Sequence, residues 1–300
     1  MQTYRDLLEA FEAYLYLRNY RPGTHHSYLS SLRLFFRYRR EKGWQGDFTA
    51  EQARSYMVSR HRSKVSWITV NIDYSAIKML YVEVLKLSWD IAATPRPKTL
   101  SLMPRILSKE EVRRVIFAAR NLKSQALIIL LYGTGLRISE ALSVKLDDIN
   151  SDRLQLRVQC GKGGKDRYVV MPEQLIPVLR TYYKVYRPSV YIFNGEKIGS
   201  TWKMRSAQMA IKKAAQQAGI TKPVTAHAFR HCYATHHLEN GTNLLFLKNQ
   251  LGHKDLKTTQ QYLHLCTLTE MRIYHPIADL EIILLQTRSG RYSGSTGSTT

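Results

Sequence analysis

Apolar and aromatic residues recur three and four positions apart through the first ninety residues, which is the spacing of an amphipathic α-helix. Turn-forming residues interrupt this pattern at 21–23, at 43–47 and at 63–66. Thr49 and Gln52 have the spacing of a capping box at the start of a third helix. A fourth helix is expected from about Thr69 to Leu87. The pattern therefore predicts an N-terminal domain of four helices.

The segment from residue 90 to residue 104 contains Pro95, Pro97 and Pro104 with little periodicity. Proline removes a backbone donor, so this segment cannot form one continuous helix. We interpret it as a crossing between two domains, since 300 residues are enough for two cores. The expected boundaries are an N-terminal domain at 1–97 and a C-terminal domain at 98–288.

In the second half of the chain, one alternating segment interrupts the helical spacing. Ser108 and Glu111 form another capping-box pattern, and a helical spacing continues toward Gly133. Residues 154–171 instead alternate around a glycine-rich turn at 161–164, which predicts a β-hairpin with a basic tip. Helical spacing returns at 172–186, 201–218 and 226–238. The expected fold class is mainly α with a small β-hairpin or sheet (α+β).

The last part of the chain carries weaker signals. Residues 276–286 have apolar positions at helical spacing, which favours a helix that packs either on its own domain or on a neighbouring copy. Residues 289–300 are rich in glycine, serine and threonine, and we expect them to form a disordered tail.

Charge narrows the choice of partner. The formal net charge is +22, with 45 Lys and Arg against 23 Asp and Glu, which points to a polyanion such as nucleic acid. No apolar run reaches the length of a membrane helix, and no signal-peptide core precedes the charges that begin at Arg5. The three cysteines are odd in number and never form a Cys-x-x-Cys pair, which argues against disulfides and zinc ribbons. We therefore expect a cytoplasmic protein without a membrane partner.

Four motifs occur in one order along the second half: Gly133-Thr-Gly-Leu-Arg137, the turn at 161–167, the pair His227 and Arg230, and Leu251-Gly-His253 followed by Tyr262. This order resembles the tyrosine recombinases, also called the phage integrase family. The resemblance favours a simple Xer-like or transposon-associated member, with an N-terminal core-binding domain and a C-terminal catalytic domain. It implies six catalytic residues: Arg137, Lys162, His227, Arg230, His253 and Tyr262.

These residue types suit attack on a phosphodiester. Two arginines match the non-bridging oxygens of the transition state and keep their charge near pH 7. A tyrosine hydroxyl ionises near pH 10 in water, so attack by Tyr262 benefits from a base, for which His227 or His253 is available. Lys162 is the expected donor of the proton that the leaving 5′ oxygen takes. The product is a 3′-phosphotyrosyl bond, and this chemistry calls for no metal or nucleotide cofactor.

Other basic residues are candidates for DNA contact. In the second helix, charged partners are scarce, and in the hairpin Lys165 and Arg167 lie near the tip, although a solvated surface would also explain them. The expected contacts to DNA are made by Arg33, Arg37, Arg39, Arg40, Lys165 and Arg167.

The implied function is site-specific recombination, in which a tetramer acts on double-stranded DNA that carries specific sites. Two alternatives stay open: a catalytically silent DNA-binding or architectural protein of the same fold, and a type IB topoisomerase-like enzyme that relaxes DNA. A metal-binding helix at His227 and His231 is disfavoured, because Arg230 lies between the two histidines and the pattern lacks the glutamate of a His-Glu-x-x-His site.

Overall fold

The computed structural model describes residues 3–89, 95–97, 104–159 and 166–266. The chain divides into two compact units, Met1–Leu102 and Met103–Thr300. Its secondary structure is mainly helical with one small antiparallel sheet, which confirms the expected fold class. The helix expected at 276–286 and the tail at 289–300 lie outside the described residues.

The N-terminal unit contains the four helices that the hydrophobic pattern predicts. They are α1 (Tyr4–Leu17), α2 (Pro22–Glu41), α3 (Ala50–Arg62) and α4 (Trp67–Met79).

Local sequence explains where these helices begin and end. Thr49 and Gln52 form the expected capping box of α3, and Pro22 occupies the first turn of α2, where its missing N–H costs nothing. Helix α4 ends earlier than expected. The chain continues as one π-helical turn, Leu80–Val84, which stops before Lys86 at a positive φ of 57°.

Aromatic side chains fill the core of this unit. The ring of Phe35 lies 5.2 Å from that of Tyr56 and 6.4 Å from those of Phe48 and Tyr81, measured between centroids. Tilted and edge contacts of this kind stabilise a core beyond the area they bury.

Arg39 belongs to this core, and the expectation that it contacts DNA is wrong. Its side chain is only 1% exposed, and its guanidinium lies 3.9 Å from the ring centroid of Phe48. The same group donates hydrogen bonds to the Tyr4 hydroxyl and to the carbonyls of Gly46 and Asp47. The reason is positional, because residue 39 follows the buried Phe35 by one helical turn.

The C-terminal unit has eight further helices among its described residues. They are α5 (Lys109–Phe117), α6 (Leu122–Thr134), α7 (Ile138–Leu142), α8 (Leu175–Tyr186), α9 (Met204–Gln217), α10 (Ala226–Glu239), α11 (Leu244–Leu251) and α12 (Leu256–Gln260).

Helix α6 forms the centre of this unit. Leu127, Ile128, Leu130 and Leu131 are all fully buried, so the helix has apolar neighbours on every side. It packs against α8 and α10, and α5 and α9 also contact it. Both ends of α6 are therefore fixed, including the C-terminal end that leads to Arg137.

The sheet has three antiparallel strands, β1 (Ile149–Asn150), β2 (Gln155–Val158) and β3 (Arg167–Val170), in the order β1-β2-β3. Strands β2 and β3 form the expected hairpin, with Val158 paired to Arg167. Strand β1 has only two residues, so an alternating pattern in the sequence could not predict it. The tip of the hairpin at 160–165 lies outside the described residues.

Buried polar groups join the sheet to the helices. Arg167 of β3 donates from both terminal nitrogens to the two carboxylate oxygens of Glu140 in α7, over 3.0 and 2.9 Å. Burial of Glu140 would raise the pKa of its carboxyl group. The hydrogen bonds and charges of Arg167 and Arg137 outweigh that effect and lower the pKa to about 2.

In the part of the chain that the structure describes, no helix combines the length and the apolar character needed to cross a membrane.

We predict that Arg39→Ala destabilises the N-terminal unit by about 3 kcal/mol, because it removes a buried cation with three hydrogen bonds and leaves their acceptors unpaired. Arg40→Ala is the matched control, since the neighbouring side chain is exposed, and it should cost less than about 0.5 kcal/mol. Urea unfolding followed by circular dichroism measures both. Equal effects of the two substitutions would contradict the burial of Arg39.

We also predict a pH-dependent contribution from Glu140. Its pKa is lower in the folded chain than its ordinary value of 4.5, so the charged carboxylate stabilises the fold above about pH 5. That contribution, of the order of 3 kcal/mol, is lost as the pH falls toward 2. The difference in unfolding free energy between the wild type and Glu140→Gln should therefore shrink steadily below pH 5. A difference that does not change with pH would refute the low pKa.

Candidate active site

A left-handed turn presents Arg137. Helix α6 ends at Gly135, where φ is 66°. A Cβ atom at this position would lie 2.5 Å from the ring of Tyr233 and 2.9 Å from the side chain of Leu251, so only glycine fits. Arg137 then caps the N-terminus of α7, with its side chain 26% exposed. The glycine turn thus places this guanidinium at the edge of the site.

Arg230 lies at the centre of the site and is 1% exposed. Its guanidinium donates hydrogen bonds to the carbonyls of Gly135 and Leu251, each over 2.7 Å, and to Nε2 of His253 over 2.9 Å. Burial and the nearby charge of Arg137 lower its pKa to about 10, so it remains a cation at neutral pH. One side chain on α10 therefore connects the turn before α7 with the end of α11.

The ring of His253 is fixed in one tautomer. A guanidinium can only donate, so Nε2 of His253 accepts from Arg230 and the proton resides on Nδ1. Nδ1 then donates to the hydroxyl oxygen of Thr259 over 2.8 Å. Both ring nitrogens are engaged in these two hydrogen bonds. His253 in this arrangement orients its neighbours and has no lone pair left to act as a base.

Tyr262 follows α12 and is 1% exposed. Its ring packs in a small apolar cluster with Tyr233, Leu247 and Leu251. The ring lies parallel to that of His253, with 6.2 Å between centroids. Burial raises the pKa of the hydroxyl group, while the charges of Arg230 and Arg137 act in the opposite direction. The phenol is consequently protonated near pH 7.

Two histidines on α10 complete the surroundings of Tyr262. His227 is exposed, and its ring packs edge-on against that of His231, with 4.5 Å between the ring centroids. The pKa of His227 is lowered by desolvation and by the charges of Arg230 and Arg137. Desolvation and the neighbours His227 and Arg230 lower that of His231 to about 4. Both rings are therefore neutral at physiological pH and can accept a proton.

The sequence did not single out His231 for this site. Its ring centroid lies 5.5 Å from that of Tyr262, and its Nδ1 is buried without a hydrogen-bond partner in the described part of the chain. The available signal was its position four residues after His227, which places both rings on one face of α10. The structure thus adds a third imidazole to the two that the motifs predict.

Arg137 is also the ion-pair partner of Glu140, with 2.9 Å between Nη1 and Oε1. The Arg137 backbone N–H donates to the other oxygen of the same carboxylate, again over 2.9 Å. The side chain that the motif marks as catalytic is therefore oriented by its own helix.

The expectation that Arg167 contacts DNA is wrong. Its guanidinium is mostly buried and paired with Glu140 from both terminal nitrogens. Arg167 is the first residue of β3, and its guanidinium contacts Glu140 and the carbonyl of Gln250. Lys162 and Lys165 belong to that tip and lie outside the described residues.

The structure thus brings Arg137, His227, Arg230, His253 and Tyr262 together in one unit. Among the residues with assigned positions, no group of three or more His, Cys, Asp or Glu side chains has an arrangement that could hold a metal ion. The described site combines guanidinium groups, neutral imidazoles and a protonated phenol.

Comparison with known proteins gives matches over both units. Residues 105–267 match the phage integrase family, and residues 7–91 match the N-terminal SAM-like domain of phage integrases. The tyrosine recombinase XerA of Pyrococcus horikoshii is 32% identical over 265 residues, which is 87% of this chain and 90% of that protein. A putative integrase/recombinase of Sinorhizobium fredii, y4qK, is 35% identical over 254 residues, covering 84% of this chain and 82% of the relative.

Solved structures of a recombinase and an integrase also match this chain. A crystal structure of XerA recombinase is 27% identical, with a TM-score of 0.52, and the match covers 90% of this chain and 96% of that one. A lambda integrase tetramer bound to a Holliday junction has a TM-score of 0.71 at 16% identity, over 86% of this chain and 76% of the other, which shows a shared fold. With the sequence matches in both units, these findings show that the chain belongs to the phage integrase family, the tyrosine recombinases.

Proposed function

We propose that this chain is a site-specific DNA recombinase that cuts and rejoins DNA strands through a covalent bond between Tyr262 and a 3′ phosphate. The observation that carries the proposal is the buried guanidinium of Arg230. It joins the turn before Arg137 to the segment that contains His253, and its charge acts on the Tyr262 hydroxyl group. Such a fixed positive charge suits a phosphorane-like transition state.

The two arginines would bind the scissile phosphate. Arg137 is partly exposed and presents the first guanidinium. In the described part of the chain, contacts with Gly135, Leu251 and His253 use three N–H donors of Arg230, and a guanidinium has about five. A further donor interacts with the Tyr262 hydroxyl group, and movement of Tyr262 would free it for a phosphate oxygen. Because Arg230 and Tyr262 are both 1% exposed, DNA binding has to open the site by moving the segment that carries Tyr262.

The chemical steps follow from this arrangement. The Tyr262 oxygen forms a bond to phosphorus and passes its proton to a neutral imidazole on α10, His227 or His231. The bond between phosphorus and the 5′ oxygen breaks, and that oxygen takes a proton, for which Lys162 is the proposed donor. Attack by the 5′ hydroxyl group of a second strand reverses these steps. The phosphotyrosyl bond conserves the energy of the broken bond, so rejoining needs no nucleotide.

The partner is double-stranded DNA that carries specific sites, and the active assembly is a tetramer. Support comes from structures of similar fold, which include a lambda integrase dimer bound to a core site and a tetramer bound to a Holliday junction. DNA of a chromosome or mobile element as substrate implies action in the cytoplasm of a prokaryotic cell.

In the N-terminal unit, three exposed arginines are the proposed phosphate contacts. Arg33, Arg37 and Arg40 are spaced four and three residues apart, so they lie along one face of α2. The net positive charge of the chain favours the same role.

We predict that Tyr262→Phe forms no covalent adduct. It should still bind, with unchanged affinity, the DNA that the wild type selects from a library. The substrate is a library of nicked duplexes with a randomised region. The nick lets the short fragment that carries the freed 5′ hydroxyl group diffuse away, so that the adduct accumulates and can be recovered under denaturing conditions. Tyr182→Phe is the matched control, because the Tyr182 hydroxyl is buried without a partner in the described chain, and it should cleave like the wild type.

An adduct that survives in Tyr262→Phe would assign the nucleophile to another residue. Absence of an adduct in the wild type would reject the enzymatic proposal in favour of a silent DNA-binding protein. Relaxation of plasmids of any sequence would favour a topoisomerase.

We predict that replacing Arg33, Arg37 and Arg40 with glutamine weakens DNA binding and reduces the slope of log affinity against log salt by about one per arginine. Arg5→Gln is the control, because Arg5 is an exposed arginine of the same unit that is paired with Glu9. Fluorescence anisotropy over a salt series measures the slopes. A triple variant with the wild-type slope would exclude this face of α2 from the DNA interface.

A further inference from the structure

Arg167 makes more directed contacts than a surface arginine requires. Its two terminal nitrogens match the two oxygens of Glu140 in a fork-to-fork pair, with distances of 3.0 and 2.9 Å. Its Nε donates to the backbone carbonyl of Gln250 over 3.4 Å. We call these three residues, Arg167, Glu140 and Gln250, the Arg167 junction.

On one side, the junction reaches Arg137. The carboxylate of Glu140 is 8% exposed and accepts from Arg137 as well as from Arg167. Arg137 uses both its Nη1 and its backbone N–H for this contact, each over 2.9 Å. The orientation of the Arg137 guanidinium therefore depends on where Arg167 places the carboxylate.

On the other side, the junction reaches the segment with His253. The side-chain amide of Gln250 pairs with the backbone of Val170 in both directions, over 3.0 and 2.8 Å, as a neighbouring strand would. Gly252 packs directly on Arg167, and a Cβ atom there would lie 2.8 Å from its Nε. The intervening Leu251 supplies a carbonyl to Arg230. Strand β3 thus supports the end of α11 at the point where α11 contacts Arg230.

We infer that Arg167 is a positioning residue, which fixes Arg137 and the segment Leu251–His253 relative to each other. This inference rests on the proposed function. A lysine cannot replace Arg167, since one ammonium group cannot match two carboxylate oxygens in the same plane. Loss of the fork frees Glu140 and with it Arg137, and a misplacement of about 1 Å in a catalytic group lowers a rate by about 10²-fold.

The experiment compares Arg167→Lys and Arg167→Gln with Arg157→Gln. Arg157 is the matched control, because it lies on the adjacent strand β2 and pairs with the buried Asp148 over 3.2 Å, outside the active site. We expect both Arg167 variants to form the covalent adduct about 100-fold more slowly in a single turnover, with unchanged DNA affinity and salt dependence. Arg157→Gln should cleave like the wild type.

A substrate with a methylphosphonate at the cleaved position separates positioning from simple stability. This group lacks one anionic oxygen, so the reaction depends less on the arginine clamp. We expect the defect of Arg167→Gln to shrink below about tenfold on this substrate. Equal defects on both substrates, together with a lower melting temperature, would reduce Arg167 to a stabilising role and overturn the inference.

Gly252→Ala provides a second variant in which the charge is kept. The added methyl group displaces the Arg167 guanidinium and also strains the backbone, because Gly252 has a φ of 65°. We expect slow cleavage with partial recovery on methylphosphonate. Activity retained in Arg167→Lys, with a lower salt slope in Arg167→Gln, would make Arg167 a phosphate contact instead. If the wild type forms an adduct and Arg167→Gln matches its rate, only this inference fails. If the wild type forms none, the proposed function fails with it.

Discussion

The burial of Arg230 is the constraint on which the rest of the site depends. A guanidinium removed from water needs acceptors, and here two backbone carbonyls and one imidazole nitrogen provide them. Arg137 and Arg167 share the carboxylate of Glu140. Three cations thus surround one anion, which leaves the site with an excess of positive charge. A DNA phosphate supplies the missing negative charge, so the same imbalance that costs stability favours binding of the substrate.

The state of Tyr262 complements this arrangement. Its hydroxyl group is protonated because burial raises its pKa, and His253 beside it has both nitrogens engaged. In the proposed mechanism, proton transfer then falls to the imidazoles of α10, which desolvation and neighbouring cations keep neutral. As the proposed nucleophile, a phenol that is buried and protonated before DNA binds would be protected from reaction with the wrong partner. Its activation is tied to the movement that admits the phosphate.

Much of this could be predicted from the sequence, because it depends on local pattern. The capping boxes at Thr49 and Ser108 appear where the pattern places them. Arg39 was mispredicted because its charge was weighed before its place in the helical period. The roles of Arg167 and His253 depend on contacts between residues about 20 to 80 positions apart, which no local pattern contains.

The short helix α7 explains why such distant contacts are needed. Five residues, Ile138–Leu142, are too few for a helix that is stable by itself, since isolated helices need roughly 12 or more. The direction of Arg137 therefore cannot come from α7 alone. It comes from Glu140, whose position is set by Arg167 on β3, while Arg230 fixes the turn before α7 from the other side. In the proposed mechanism, the small sheet is thus part of the catalytic framework, because without β3 the first arginine of the proposed clamp has no fixed direction.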